Sequence, residues 1–74
     1  MKVNITVEMN NSAFEDDPCR ELGRIFQDLT HKLAVLVAPP YYAVEQQRKN
    51  LINQGSISLL DVNGNPVGTA RFSE

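Results

Sequence analysis

Asp61, Val62, Asn63, Gly64 and Asn65 place acidic and amide side chains at alternate positions, as the opening of a calcium-binding loop does. The remainder of such a loop is missing. Gly64 comes too early, Pro66 stands where the sharp glycine turn belongs, and Phe72 replaces the bidentate glutamate. The same residues fit a turn. Glu15, Asp16 and Asp17 form an acidic run that suits a hard cation and equally suits the positive end of a helix. His31 is the single histidine. A helix would give it only Gln27 and Asp28 within a turn on its N-terminal side, too little for a general base or a metal ligand. Cys19 is the single cysteine, with no second thiol for a disulfide or a zinc site, and Asp16 and Asp17 beside it oppose a thiolate. The sequence carries no Gly-rich phosphate loop, nucleophile motif or dinucleotide fingerprint. The expectation is a protein that is not an enzyme, with no catalytic residue, no metal and no cofactor.

Arg20, Arg24, Lys32, Arg48 and Lys49 offer a modest basic patch. Seven basic residues stand against nine acidic ones, for a net charge of −2, which counts against nucleic acid as a partner. The 74 residues are read as one domain. A chain of this size buries only roughly 60% of the surface it exposes unfolded. Its large apolar residues must therefore share a single core, with little left to wall a deep pocket. The opening residues alternate instead of forming a continuous apolar run, so they are not read as a signal peptide. No stretch approaches the roughly 20 apolar residues that cross a bilayer. The expected setting is the cytoplasm, with no membrane partner.

These side chains need elements to hold them. Leu22, Ile25, Phe26, Leu29, Leu33 and Leu36 recur at helical spacing and predict a helix over residues 18–37 with one buried stripe. Asp17 is its expected N-cap, Pro18 suits its first position, and Pro39 and Pro40 end it. Gly23 lies on a small-residue flank with Cys19, Thr30 and Ala34, which suggests close approach to the sheet or to a partner helix. Residues 34–38 are apolar all round, and Val35 falls on the otherwise polar face, where the next segment or another chain should cover it.

Residues 2–9 alternate, with Val3, Ile5, Val7 and Met9 on one side, and predict a half-buried strand. Phe14 precedes the helix cap and belongs at the edge of the core. Residues 39–54 are either an inserted second helix, with Tyr41, Val44, Leu51 and Ile52 as its stripe, or a Tyr-rich loop. Residues 56–72 predict a β-hairpin around Asn63-Gly64. A two-residue turn at Asn63-Gly64 and a four-residue turn through Pro66 both remain open, and both preserve strict alternation. One hairpin face then carries Ile57, Leu59, Gly68, Ala70 and Phe72, and the other an outward ridge of Leu60, Val62 and Val67. The fold class is α+β: a small β-α-(α)-β-β domain with a three-stranded antiparallel sheet and one long helix packed on one face.

Three motifs share a spacing: Asn11-Ser12-Ala13-Phe14, then Glu21-Leu22-Gly23-Arg24-Ile25, then Asp61-Val62-Asn63-Gly64-Asn65-Pro66-Val67-Gly68. This pattern resembles small uncharacterised proteins common in bacteriophage genomes. Those run strand, acidic loop, helix of the "ELARIL" kind and a "D-NGN-VG" hairpin. The likeness covers about two thirds of the chain. It departs at residues 39–53, where short relatives pass almost directly to the hairpin, and at Gly23, where the pattern has Ala. The resemblance implies a bacterial host cell and a phage-encoded modulator or inhibitor of a host protein or defence complex, such as an anti-CRISPR or a transcription inhibitor. It implies no active site.

The sequence reading thus expects a protein-binding module. Its heterologous partner, a host bacterial protein, is expected at Tyr41, Tyr42 and Val35. The ridge of Leu60, Val62 and Val67 is expected to serve self-association as a homodimer. The alternatives are a homo-oligomeric structural or accessory phage protein and, more remotely, a nucleic-acid-binding regulator.

Overall fold

The computed structural model describes the backbone of residues 1–37 and 44–74, and every side chain among them except that of Val37. Tyr41, Tyr42 and the Pro39-Pro40 step lie outside the described residues. The elements are strand β1 (Lys2–Val7), a 3-10 turn (Ser12–Phe14), helix α1 (Pro18–Val37), helix α2 (Val44–Gln54), strand β2 (Ser56–Leu60) and strand β3 (Pro66–Ser73). The strands form an antiparallel sheet in the order β1-β3-β2. This is the expected α+β domain, with a second helix in the inserted region.

Local chemistry explains the boundaries. The Asp17 carboxylate caps α1 by accepting the Arg20 N–H at 3.0 Å. Asn11 caps the 3-10 turn through the Ala13 N–H at 3.1 Å, and Phe14 is thereby turned fully into the core. Gly55 ends α2 with φ +74°, its N–H returning 3.1 Å to the Leu51 carbonyl. Asn50 Nδ2 donates to the Leu36 carbonyl at 3.1 Å and ties α2 to the end of α1.

The core is Phe14, Ile25, Leu29, Ile57, Leu59, Val67 and Ala70. Ile25 and Leu59 are its largest fully buried side chains, each contributing about 1.5–3 kcal/mol by burial. Val7, Leu33, Leu36 and Phe72 pack around this centre. Helix α1 makes its main sheet contact with β2. Val3 and Ile5, expected in the core, are therefore substantially exposed, and so is Phe26. Helix α2 contributes no fully buried residue; Val44 is exposed, and Leu51 and Ile52 are half-buried.

Alternation fails in the hairpin. Leu59 pairs with Gly68 but Leu60 pairs with Pro66, so Val67 has no opposite residue on β2. A β-bulge of this kind breaks the two-residue period. Val67 is only 7% exposed and joins the core. The ridge of Leu60, Val62 and Val67 expected on the outer face is corrected accordingly. Thr6, Ser58 and Thr69 share a cross-strand row on that face instead. Gly68 sits directly against the β1 backbone: a Cβ there would collide with the Thr6 carbonyl oxygen and lie 3.0 Å from Val7 Cα.

Gly23 has no such reason. A Cβ built on it meets nothing within 4 Å, and the residue is exposed. The expected close approach to the sheet is absent. Gly23→Ala should raise stability by roughly 0.5–1 kcal/mol, because alanine loses less backbone entropy in a helix. Leu29→Ala should lower it by about 2–5 kcal/mol, as loss of a packed core side chain does. Chemical denaturation of both variants checks the pair: a destabilised Gly23→Ala would mean that this position is covered, and an unchanged Leu29→Ala that the buried face of α1 lies elsewhere.

Candidate functional site

The strongest polar constellation joins the first turns of α1 to the hairpin tip. Glu21 and Asp61 are the two buried acidic side chains among the described residues, 7% and 3% exposed. Glu21 Oε1 accepts Arg24 Nε at 2.6 Å, and its Oε2 accepts the Val62 N–H at 2.9 Å. Arg24 reaches on to the Leu60 carbonyl at 2.7 Å. One helical turn thus presents an acceptor and a donor to two backbone groups flanking Asp61.

Asp61 organises the tip itself. Its Oδ1 accepts the N–H groups of Asn63 at 2.9 Å and Asn65 at 2.8 Å. Its Oδ2 accepts Asn11 Nδ2 at 2.7 Å and Asn65 Nδ2 at 3.3 Å. The backbone closes the turn with Gly64 N–H on the Asp61 carbonyl at 3.0 Å and Asp61 N–H on the Asn65 carbonyl at 2.9 Å. Gly64 takes φ +85°, open to glycine at little cost. Residues 61–65 connect the strands, a longer connection than either turn expected from the sequence. Both Asp61 carboxylate oxygens, the first of the calcium-like ligands, are occupied by amide donors.

Both carboxyls titrate below their ordinary range. For Glu21 the Arg24 hydrogen bond is the main cause; burial opposes it and the Val62 N–H reinforces it. For Asp61 burial pushes upward, and is outweighed by the donors of Asn65, Asn63 and Asn11.

The remaining candidates do not converge. His31 and Cys19 are exposed, and among the described residues no group of three or more His, Cys, Asp or Glu is placed to hold a metal ion. The basic patch is largely spent on the fold: Arg24 binds the Leu60 carbonyl, Lys32 the Ser58 carbonyl at 3.2 Å and Asp28 at 3.1 Å, and Arg48 pairs with Glu74 at 3.0 Å. Among the described residues no helix is long and apolar enough to cross a membrane. Of the expected contact residues, Val67 is buried, Leu60 half-buried and Val62 exposed in the hairpin tip. Val35 is 71% exposed. It borders a depression of about 240 Å³ lined by Lys32, Val35, Leu36, Gln54 and Ile57. Tyr41 and Tyr42 lie outside the described residues. The sequence offers Arg24 only as part of a basic patch: the Glu21-to-Arg24 spacing on a helix signals their ion pair, and nothing in the side-chain pattern signals the bond to the Leu60 carbonyl.

Comparison with known proteins finds no matching family model, no matching curated protein and no matching solved structure.

Glu21 and Asp61 bind protons less readily when folded, so the stability they contribute is complete above the ordinary carboxylate pKa of about 4. It is lost as pH falls through their lower folded values. The Tm should therefore drop as pH falls below about 4, and Glu21→Gln combined with Asp61→Asn should lower the neutral Tm while flattening the acid limb. An acid limb of unchanged slope in the double variant would contradict the assignment.

Proposed function

We propose that this protein is a non-enzymatic binding module, a phage-encoded modulator or inhibitor of a host bacterial protein or defence complex. The observation that carries the reading is Val35. A β-branched apolar side chain lies open to solvent at the end of the long helix, beside an apolar depression at the junction of α1, α2 and β2. Exposed apolar surface next to a concavity suits a protein partner. The buried acids support the same reading, because their oxygens are taken up by the fold: Glu21 joins the helix to the hairpin through the Val62 N–H and Arg24, and Asp61 closes the hairpin tip and fastens Asn11 to it. The phage-like motifs Glu21-Leu22-Gly23-Arg24-Ile25 and Asp61 to Gly68 then serve architecture and leave the surface free to specify the partner. Tyr41 and Tyr42 follow Val35 in sequence and are proposed as part of the same contact, since tyrosine combines large apolar area with a polar tip.

Affinity capture from a bacterial host lysate, read by mass spectrometry, tests this with wild type, Val35→Asp, Tyr41→Ala and Tyr42→Ala. A host protein retained by wild type and lost by folded Val35→Asp is the expected result. Retention that no folded variant weakens would overturn the assignment of the surface, and no specific retention would overturn the reading.

A further inference from the structure

The two edges of the sheet are treated differently. Glu8 N–H donates to the Val67 carbonyl at 2.7 Å, and backbone groups alternate sides along an antiparallel strand. Thr6, Asn4 and Lys2 therefore address β3, while Val3, Ile5 and Val7 turn their N–H and C=O groups outward. On the opposite edge the Phe72 N–H donates to the Gly55 carbonyl at 2.9 Å, so Ser58 and Leu60 face out from β2. Those two carbonyls accept Lys32 Nζ and Arg24 Nη2 from α1. Charged side chains thus block the β2 edge, a common protection against strand pairing. Among the described residues no side chain does this for β1.

The apolar surface follows the same asymmetry. With Arg24 and Lys32 reaching the β2 edge, helical geometry puts Phe26 on the opposite flank of α1, above the β1 side of the sheet. Val3, Ile5 and Phe26 are 48%, 43% and 40% exposed. Met1 and Met9, at the two ends of the strand, are exposed as well.

We propose that the β1 edge pairs antiparallel with β1 of a second copy of this chain, about a two-fold axis at Ile5. In that register Lys2 lies opposite Glu8 of the second copy, and the pair recurs by symmetry. Asn4 meets Thr6, Val3 meets Val7, Ile5 meets Ile5 and Met1 meets Met9. Every pair matches in polarity, and the charged pair is opposite in sign. Val3, Ile5 and Val7 are the residues whose backbone groups point outward, so the apolar pairs are also the hydrogen-bonded ones. An axis normal to the sheet places both α1 helices on the same face. The Val3, Ile5 and Phe26 side chains of the two copies then line one trough between them. The interface is isologous, lies apart from Val35, and is independent of any host partner.

Sedimentation equilibrium of the purified protein tests it. Wild type should dimerise in the micromolar range. Lys2→Glu and Glu8→Lys, both at exposed positions, should each weaken the dimer roughly tenfold by setting like charges opposite one another, and combining them should restore it. Amide exchange on the unmodified protein gives a second reading: protection of Val3, Ile5 and Val7 should rise with concentration. A monomer throughout the micromolar range would overturn the proposal, as would a dimer whose affinity ignores both reversals or which leaves those amides unprotected.

Discussion

Glu21 holds a carboxylate almost out of water on the first turns of a helix, and its two oxygens point in different directions. One takes the guanidinium of Arg24; the other takes the backbone N–H of Val62. A buried carboxylate without partners would be costly. Here each partner is itself tied to the hairpin, because Arg24 also binds the Leu60 carbonyl. Asp61, between those two backbone groups, is saturated by Asn11, Asn63 and Asn65. Among the described residues no buried side-chain nitrogen or oxygen lacks a partner. Such a network gives one register of helix on hairpin and penalises its neighbours, since a shifted helix would take the buried Glu21 carboxylate away from the Val62 N–H.

The position of α1 follows from that attachment. Glu21, Arg24 and Lys32 pull one flank of the helix toward the β2 edge. Ile25 and Leu29 then fall over Ile57, Leu59 and Ala70, forming the core. The same placement uncovers β1. In a domain this small a single helix does not cover three strands, and the polar clamp selects which strand is left open. The exposed Val3 and Ile5 are a consequence of the clamp and not a failure of packing.

Much of the architecture was legible in the sequence because period and punctuation agree. The stripe of α1, its Asp17 cap and a turn at Asn63-Gly64 each report a local preference; the structure keeps the cap, most of the stripe with Phe26 exposed, and the hairpin with a longer connection than expected. The errors in the strands come from long-range contacts. Alternation reads each strand as if its geometry were regular, and the bulge at Val67 depends on how residues 61–65 fold around Asp61, a contact set that includes Asn11 from far along the chain. Likewise the apolar face of β1 was plain, but its exposure depends on where α1 docks. Gly23 is the reverse case: a helix glycine suggested a packing constraint, and the structure leaves the space empty. Side-chain exposure was partly legible. Val35 broke the polar face of the helix and is indeed exposed, whereas Arg24 looked solvated because its partner is a backbone carbonyl that no side-chain pattern reveals.

If the helix-to-hairpin clamp is the organising interaction, the hairpin tip should behave as part of the core. Tips of hairpins ordinarily exchange their amides fast, being held by little beyond the turn. The most direct measurement is residue-resolved amide hydrogen exchange of the native protein at neutral pH, read at Val62 and Asn65. Their N–H groups end on the Glu21 and Asp61 carboxylates. Protection comparable to that of the Ala70 amide in the central strand is the predicted result; exchange at the rate of an open loop, with Ala70 still protected, would show that the clamp does not hold the fold together.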